Sequence, residues 1–179
     1  MTVAILLLAV LLGVLLFAAR KPDILEFCRE IEINAPPEKI FSLINDFHCW
    51  PEWAPQDTAD SSMKRAFSGP PNGRGAVSRW TSNGSAGRGK MEIIESAPPV
   101  KVKVNVEFEK PFNVINVNEF IIEPAGSATR VTWRMKGAIP FPAKVMSVVF
   151  PIDRIMGKHF EDGLRSLKTV SERQDFVSQ

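Results

Sequence analysis

The residues that most often carry chemistry are scarce in this 179-residue chain, which has two cysteines, two histidines and no tyrosine. The two cysteines, Cys28 and Cys49, suggest no disulfide framework, and such sparse use fits a reducing compartment. A zinc site needs three or four ligands at workable spacing, whereas Asp46, His48 and Cys49 crowd into one turn with no second cluster. The sequence therefore predicts neither a metal site nor a cofactor.

A strong excess of charge of one sign is also missing. The chain has 22 basic and 20 acidic residues, which gives a formal net charge of +2 at pH 7. That charge is too small to indicate a nucleic-acid-binding protein. The 14 prolines are scattered through turns, and no internal repeat or low-complexity segment divides the chain. We therefore expect one folded domain.

One long hydrophobic run stands near the start of the sequence. Every residue from Val3 to Ala19 is apolar, alanine or glycine, and Arg20-Lys21 ends the run. As a helix the run would be about 26 Å long, at the short end of what crosses the hydrocarbon core of a bilayer. A buried helix of a soluble protein would show a polar face, which this run lacks. The sequence predicts a transmembrane anchor over residues 1–21.

A cleaved signal peptide is the alternative interpretation of this run. It would need a basic segment before the run, where only Met1-Thr2 stands, and a small residue where Phe17 lies. Because the basic residues lie on the C-terminal side, the positive-inside rule favours a cytoplasmic domain. We therefore expect a single-pass protein of the cell membrane whose soluble domain faces the cytoplasm.

A short linker, residues 22–25, separates the predicted anchor from the predicted domain at residues 26–173, and residues 174–179 form a tail. Fully extended, the segment from Arg20 to Leu25 reaches about 20 Å. The domain is therefore expected to lie close to the membrane surface.

Seven segments of alternating apolar and polar residues predict β-strands. Val100 to Glu109 shows the alternation most clearly, with valines and Phe108 on one side and lysines and glutamates on the other. Most of the segments end at proline, glycine or asparagine turn residues, which is typical of an antiparallel sheet with one solvent-exposed face. The predicted strands are Glu26–Asn34, Met63–Ser68, Ala76–Ser82, Arg88–Glu95, Val100–Glu109, Val114–Glu123 and Thr129–Lys136.

Three helical segments complete the pattern, and one of them is a short turn through Trp50-Pro51-Glu52-Trp53 that Asn45-Asp46 can cap. Prolines at positions 36 and 37 can open a short helix with an apolar face over residues 40–44. Toward the C-terminus, apolar residues recur at steps of three and four from Val145 to Leu167, which predicts a long amphipathic helix. Pro151 must kink or restart this helix, because proline removes a backbone donor. An apolar sheet face needs cover, and only this helix is long enough to provide it.

The order of short motifs along the chain matches a known superfamily. The motifs are Ile31-x-Ile33-x-Ala35-Pro36-Pro37-Glu38, Phe41-x-Leu43-Ile44, Trp50-x-x-Trp53, Gly75-Ala76-Val77, Lys90-Met91-Glu92-Ile93, Pro111-Phe112 and Thr129-x-Val131-x-Trp133. Through them, residues Glu26 to Val170 resemble the polyketide cyclase/dehydrase-like branch of the SRPBCC (START-like) superfamily.

This resemblance implies an α+β helix-grip fold. A curved antiparallel sheet of about seven strands would grip the long C-terminal helix around an apolar cavity. Members of the superfamily bind lipids, sterols, polyketides or hormones, and some catalyse cyclisation or dehydration, so the fold alone gives a class-level answer. The absence of tyrosine counts against a mechanism like that of the polyketide cyclases, which tend to place polar side chains in the pocket.

Apolar residues of the predicted concave face are candidates to line such a cavity. They are rich in tryptophan, phenylalanine and methionine, whose broad or flexible side chains suit an adaptable pocket. The alternative for each of them is plain core packing. The sheet candidates are Trp80, Met91, Val104, Phe108, Asn116, Asn118, Phe120, Trp133 and Met135, and the helix candidates are Met146, Val149, Phe150, Met156, His159 and Phe160.

Two asparagines stand out within this set. Asn116 and Asn118 share the parity of Phe120, and if they point inward they need partners that a ligand head group or water would supply. The sequence does not determine which side of this strand faces inward, because the apolar residues Ile115 and Val117 lie on the side opposite to Asn116 and Asn118.

No catalytic set can be assembled from these residues. A cysteine or serine nucleophile needs a positioned base, usually histidine. His48 adjoins Cys49 in sequence, and His159 lies on the C-terminal helix, where it can face the cavity or its edge. The strand acids alternate away from the apolar side, which leaves three carboxylates near the ends of elements: Asp46, Glu52 and Asp153.

Two surface features bear on membrane contact. The segment at residues 137–142 contains Ile139 and Phe141, and it either gates the cavity, touches lipid or folds over the edge of the core. The polar side of the strands carries basic residues that would approach anionic headgroups or form an ordinary solvated face. These residues are Arg79, Arg88, Lys90, Lys101, Lys103, Arg130, Arg134 and Lys136.

Three functions are therefore open from the sequence. The first is a membrane-tethered module that binds a hydrophobic small molecule, such as a lipid, an isoprenoid or a polyketide-like compound. The second is an enzyme of the cyclase/dehydrase type. The third is an interaction protein whose cavity is filled by its own side chains.

Overall fold

A computed structural model describes residues 2–54, 62–84, 87–110 and 113–173. Helix α1 (Thr2–Ala19) is followed almost directly by strand β1 (Ile24–Ile33). By length and composition α1 can cross a membrane, a property that it shares with N-terminal signal sequences. β1 begins two residues before the predicted strand because Ile24 and Leu25 already pair with a neighbouring strand. The predicted linker is thus half strand, and residues 20–23 alone separate α1 from the sheet.

All seven predicted strands form, and helices occur in each predicted helical region. β1 leads into helix α2 (Pro37–Asn45) and a single 3-10 turn (Trp50–Glu52). The remaining strands are β2 (Lys64–Ser68), β3 (Val77–Thr81), β4 (Arg88–Ala97), β5 (Lys101–Lys110), β6 (Val114–Ala125) and β7 (Ala128–Ala138). Two helices follow, α3 (Phe141–Val149) and α4 (Ile152–Ser171).

The seven strands form one antiparallel sheet in the order β1-β7-β6-β5-β4-β3-β2. Apart from the β1–β7 pair, each strand lies beside its neighbour in sequence, as short turns between antiparallel strands require. The register between β4 and β5 shifts after Arg88 and again between Ile93 and Glu95. Such irregularities bend a strand and help a sheet to curve.

The concave face of the sheet carries the core, and α4 lies in the concavity. Phe27 of β1 stacks on Phe160 of α4 with ring centroids 6.2 Å apart. At the edge of the same contact, Arg29 Nε donates to Glu161 Oε1 at 3.0 Å. Every fourth or third residue of α4 from Phe160 onward is buried against the sheet or α2, namely Leu164, Leu167 and Val170. This arrangement confirms the expected helix-grip fold.

Helix α2 and the 3-10 turn close the other side of the concavity. α2 packs against β5, β6 and α4. The two tryptophans of the turn are fully buried, and each indole finds a backbone acceptor in α2. Trp50 Nε1 donates to Ile44 O at 3.0 Å, and Trp53 Nε1 donates to Leu43 O at 3.2 Å. These bonds satisfy the polar atom of each buried ring and fix its orientation.

The predicted long C-terminal helix is two helices. Phe150 and Pro151 separate α3 from α4, so proline restarts the helix rather than kinking it. α4 stays on the sheet, whereas α3 turns away and packs against α1. The prediction that the residues now in α3 face the same side as those of α4 is therefore wrong.

The convex face of the sheet is a mixed-charge face rather than a basic one. Lys90 Nζ lies 3.3 Å from Glu107 and 3.6 Å from Glu92. Lys103 Nζ lies 3.2 Å from carboxylate oxygens of both Glu95 and Glu119. Alternating cross-strand ion pairs of this kind neutralise the lysines and arginines locally. This face is consequently a poor surface for anionic headgroups.

Candidate functional site

A cavity of about 140 Å³ lies between the concave face of the sheet and the first half of α4. Strands β4 to β7 supply one wall, α4 supplies the other, and Trp50 reaches in from the 3-10 turn. The lining residues are Trp50, Met91, Val106, Phe108, Asn116, Asn118, Trp133, Met135, Met156, His159 and Phe160.

The cavity lies toward the end of the sheet at which the chain arrives from α1. Gly137 of β7 pairs with Leu25 of β1 on one side and with Asn116 of β6 on the other. Neighbouring strands are about 4.8 Å apart, so the Asn116 backbone is roughly 10 Å from that of Leu25 across two strand spacings. Leu25 in turn follows α1 by six residues. The site is thus within a short distance of the predicted anchor.

One side of the cavity is a network of rings. Phe160 meets Trp133 edge to face at 4.4 Å, and Trp133 lies 4.9 Å from Phe120. Phe120 in turn contacts Trp50 and Trp53 at 6.1 and 6.0 Å. Edge-to-face pairs at these distances are favourable. These packed rings form a rigid part of the cavity wall.

Three methionines form a flexible part of the cavity wall, in contrast to the rigid rings. Met91 and Met135 are buried and Met156 is half-buried, and all three line the cavity. An unbranched thioether side chain changes rotamer easily and fills irregular space. The methionines can therefore enlarge or close the cavity without a change of backbone.

Three polar side chains face this apolar space. Asn118 Oδ1 accepts a hydrogen bond from Trp133 Nε1 at 2.8 Å, so this buried amide is partly satisfied within the protein. Asn116 is half-buried, and its side-chain amide forms no hydrogen bond with another described residue. A side chain at Gly137 would collide with the Asn116 amide, so glycine at that position makes room for it. Asn116 thus presents an amide to the cavity.

His159 is the third polar group. Burial lowers the pKa of its imidazole below the ordinary value, and the nearby Asp162 carboxylate opposes that shift. The neutral ring, which is favoured near pH 7, offers one hydrogen-bond donor and one acceptor. Together with Asn116 and Asn118, it gives an apolar pocket a few polar groups that can orient a ligand.

Nine of the fifteen cavity candidates named from the sequence line this cavity. They are Met91, Phe108, Asn116, Asn118, Trp133, Met135, Met156, His159 and Phe160. The parity of β6 is resolved, because Asn118, Phe120 and Ile122 are buried while Ile115 is exposed. Whether these nine side chains contact a ligand stays a prediction.

Three candidates from the sheet have the expected direction but lie in the core beside the cavity. Trp80 packs on Phe108 at 5.4 Å and covers the backbone of Gly89, where any side chain would collide with its ring. Val104 and Phe120 are fully buried. For them the alternative of plain packing holds.

The candidates from the first part of the predicted helix are placed elsewhere. Met146 and Phe150 are more than half exposed, at 51% and 53%, because α3 leaves the sheet at Pro151. They do not line the cavity, which corrects the prediction. The side chain of Val149 lies outside the described part of the structure.

Two lining residues were missed from the sequence. Val106 shares the parity of Val104 and Phe108 in β5, so the alternation alone could have included it. Trp50 was recognised as part of a motif, but its reach into the cavity depends on how the 3-10 turn folds onto α2. Local sequence carries no signal for that contact.

Cys49 and His48 lie outside the cavity, and their contacts give neither of them a catalytic arrangement. Burial raises the pKa of the Cys49 thiol to about 11, and the charges of Asp46 and Glu52 add to the shift. The thiolate is the nucleophilic form, so this cysteine is unreactive at neutral pH. His48 Nδ1 lies 2.7 Å from Asp46 Oδ1, and its ring packs on Phe67 at 4.1 Å. Across the described residues, no group of three or more His, Cys, Asp or Glu side chains is arranged to hold a metal.

Two larger depressions occur on the surface, with volumes of about 280 and 430 Å³. The first is lined mainly by the turn at residues 67–71, and the second by turns at residues 34–37 and 124–129. Both are shallow and formed largely by turn residues. Of these three, the concave cavity is the smallest, but it combines apolar walls with inward polar groups.

The helix-grip architecture and the position of this cavity agree with the comparison with known families. Residues 25–172 match the profile of the family described as polyketide cyclase / dehydrase and lipid transport. The chain belongs to this family. A search of curated proteins gives no match.

Solved structures place this family member among proteins of the same fold. Protein MLL2253 from Mesorhizobium loti superposes with a TM-score of 0.62 at 17% identity, covering 85% of this chain and 100% of that chain. Protein CV1439 from Chromobacterium violaceum gives 0.59 at 13% identity, covering 86% and 100%. The Aha1 dimer from Colwellia psychrerythraea gives 0.59 at 17% identity, covering 84% and 98%. At these identities the likeness shows a shared fold alone.

Proposed function

We propose that this protein binds a hydrophobic small molecule in the concave cavity while α1 holds the domain at a membrane. The observation that carries the proposal is the cavity itself, in which aromatic and methionine side chains surround two amides and a neutral imidazole. Natural sites for small apolar molecules combine those elements. The family description, which names polyketide cyclases and lipid transport, supports the same class of ligand.

The size of the cavity restricts the ligand. Sites for drug-sized molecules are roughly 300–1,000 Å³, whereas an engineered apolar cavity of about 150 Å³ holds a benzene molecule. A volume of about 140 Å³ therefore fits a single ring or a short branched chain. A longer ligand requires Met91, Met135 or Met156 to move aside, and such adaptation is common for methionine.

The tether suits capture from the bilayer. Residues 20–23 are the whole connection between α1 and β1, and at most about 14 Å of chain can be extended there. The domain cannot travel between membranes on such a connection. Arg20 and Lys21 lie on the domain side of α1, and the positive-inside rule then orients the domain toward the cytoplasm of the cell membrane.

Ligand binding can be tested on the full chain, purified in a mild detergent and transferred to amphipol. Native mass spectrometry and organic extraction then report any molecule that stays with the protein. Val106→Phe fills the cavity, whereas Val100→Phe, at an exposed position of the β4–β5 turn, adds the same group outside it. We expect Val106→Phe to lower ligand occupancy about tenfold, since overpacking costs about 1–3 kcal/mol. Val100→Phe should leave it unchanged.

A filled cavity without a ligand is the competing function, and the small volume favours it. Under that alternative, no molecule co-purifies with the parent chain. Val106→Phe would then lower stability but change no bound mass. Finding this pattern would end the binding proposal and favour a protein-interaction role.

The cyclase/dehydrase alternative depends on His159, which among the described lining residues is the one with an ionisable side chain. A neutral imidazole can act as a general base, and a nearby amide can polarise a carbonyl. If a ligand is found, its conversion by the parent and by His159→Gln separates an enzyme from a binding protein. Unchanged ligand after prolonged incubation with the parent excludes this alternative.

A further inference from the structure

Helix α3 has an unusual distribution of side chains for an exposed helix. Phe141 and Met146 are 47% and 51% exposed, and Phe150 just after the helix is 53% exposed. Ile155, in the first turn of α4, is 57% exposed. A cluster of large apolar side chains on one part of a surface marks an interaction site more often than ordinary solvent exposure.

The polar residues of α3 lie on a different side from Met146. At 3.6 residues per turn, Lys144 and Ser147 are roughly 60° apart around the helix and Met146 is roughly 100–160° from both, whereas Phe141 lies beside Lys144, one turn earlier. Lys144 is 5% exposed, so the charged residue is the buried one. α3 thus buries its charged residue and leaves Phe141 and Met146 about half exposed, unlike a helix that covers a core and faces water.

Hydrogen bonds tie this polar side to the end of α1. Lys21 Nζ donates to Ser147 O at 2.8 Å and to Ser147 Oγ at 2.7 Å. Lys144 Nζ donates to Lys21 O at 3.0 Å and to the carboxylate of Asp23. We name these four residues, Lys21, Asp23, Lys144 and Ser147, the juxtamembrane latch. Because the latch joins α3 to the residues that leave α1, it fixes the position of α3 relative to the anchor.

The packing of α1 places α3 at the level of the membrane surface. α3 packs against α1, and Ala18, in the last turn of α1, is the one residue of α1 that is fully buried. If α1 crosses a bilayer, its last turn and the following Arg20 and Lys21 lie in the headgroup region. α3 must then lie in the same region, with Met146 on the side turned away from the latch.

We propose that α3, with Phe150 and Ile155, is a second lipid-contact surface, lying in the headgroup region of the leaflet where α1 emerges. This inference rests on the insertion of α1, which is part of the proposed function, but not on ligand binding. Aromatic and aliphatic side chains of an interfacial helix enter the boundary between headgroups and acyl chains. The exposed cations Arg20 and Arg154 near this surface match the anionic lipids of a cytoplasmic leaflet.

The consequence is a fixed orientation of the domain. One anchor with a short linker still permits rotation, whereas two lipid contacts joined by the latch hold the same face toward the bilayer. That face includes the N-terminal part of α4, which supplies Met156 and His159 to the cavity. A ligand dissolved in the bilayer would therefore meet the cavity side of the domain.

Site-specific fluorescence in vesicles tests this surface. The full chain with Cys28→Ser and Cys49→Ser receives one cysteine at a time, labelled with a nitrobenzoxadiazole dye, through Met146→Cys, Phe150→Cys, Val100→Cys or Leu8→Cys. Vesicles of phosphatidylcholine with a minor fraction of phosphatidylglycerol carry nitroxide labels at the headgroup or deep in the acyl chain. Val100 is a matched exposed apolar position at the opposite end of the sheet, and Leu8 reports insertion of α1.

We expect labels at positions 146 and 150 to emit at shorter wavelength and to lose most emission to headgroup nitroxides. The emission of the label at position 100 should be quenched by neither nitroxide, and the emission of the label at position 8 should be quenched by the nitroxide deep in the acyl chain. If positions 146 and 150 behave like position 100 while position 8 is quenched, the second contact is wrong although the tether stands.

Two further outcomes also contradict the inference. An unquenched label at position 8 means that α1 is outside the bilayer, and this overturns the lipid surface and the tether together, but leaves ligand binding measured in amphipol intact. A blue shift at position 146 that requires excess unlabelled chain and ignores nitroxides means that a second copy covers α3. In either case lipid does not contact this face.

Discussion

Helices α3 and α4 are separated only by Phe150-Pro151, yet they bury opposite kinds of side chain. α4 buries Phe160 and Leu164 against the sheet and presents Lys158 and Arg165 to solvent. Its charged side is stabilised by pairs within one turn, such as Lys158 with Asp162. This is the ordinary amphipathic arrangement of a helix that covers a core in water.

α3 has the reverse arrangement. It buries Lys144 in the juxtamembrane latch and exposes Phe141 and Met146. The difference shows that position within a domain does not alone determine which side of a helix is buried. For α3 the structure supplies hydrogen-bond partners to Lys144 and Ser147, whereas Phe141 and Met146 stay about half exposed.

The largest effect should come from truncating the buried side of α4. Leu164 is 1% exposed, and Leu164→Ala is expected to lower the free energy of unfolding of the full chain in detergent by about 2–5 kcal/mol. Met146→Ala on α3 removes a similar side chain from an exposed position, and a change within about 0.5 kcal/mol is expected. Chemical denaturation followed by tryptophan fluorescence measures both. Equal losses would show that α3 packs on the domain as α4 does.

A smaller, local effect is expected in the latch. Lys144→Met keeps the buried aliphatic stem but removes the charged donor to Lys21 O and Asp23. A hydrogen bond to a charged group contributes about 1.5–3 kcal/mol, so amides of α3 should exchange hydrogen at least about tenfold faster. In contrast, Lys158→Met on α4 breaks only an exposed i,i+4 pair, so the hydrogen exchange of α4 should change little. Hydrogen exchange with mass spectrometry resolves the two helices, and unchanged protection of α3 would show that the latch does not hold it.

The smallest effect concerns the pH dependence that α4 gives to the fold. The pKa of His159 is lowered by burial, so the unfolded chain takes up a proton first as pH falls through about 6.5. The free energy of unfolding is unaffected by the titration of His159 above that pH. Below it, the free energy of unfolding decreases as pH falls, until His159 of the folded state is protonated as well. Between about pH 7.5 and about pH 5.5, His159→Gln should therefore lose less stability than the parent chain. The exposed His48→Gln is the control, and identical pH slopes for parent and His159→Gln would contradict the buried environment.

Most of the fold was predictable because strand alternation and turn residues act locally. The seven strands appear where valines, Trp133 and Met135 alternate with charged residues, and the family resemblance predicted that they form one curved sheet around the C-terminal helix. Ile24 and Leu25 escaped prediction because their strand character comes from pairing with the end of β7, a partner more than a hundred residues away.

The cavity was predictable to the extent that parity defines it. Asn118 and Met135 follow from the alternation in β6 and β7, and His159 from the step of three from Met156 in α4. The alternation shows which residues point inward but not which of them border the cavity. Val104 and Phe120 were therefore predicted to line it, although both are fully buried in the core.

The placement of α3 could not be predicted, for a physical reason. Continuing the helix through Pro151 kept Met146 and Phe150 on the cavity side, as the three- and four-residue steps suggested. The break instead lets Lys144 reach Lys21 and Asp23, and no local pattern records contacts over such a separation in sequence.

The direct succession of α1 and β1 also determines how the domain bears force. β1 pairs with β7 over ten residues, from Ile24 to Ile33, and the Ile139 amide adds a bond to Asp23 O beyond the strand. A pull on the anchor along the axis of β1 loads this whole ladder in shear, so its bonds must break together rather than one after another. If α1 is held in a bilayer, a force on it therefore reaches the sheet through all the β1–β7 hydrogen bonds at once.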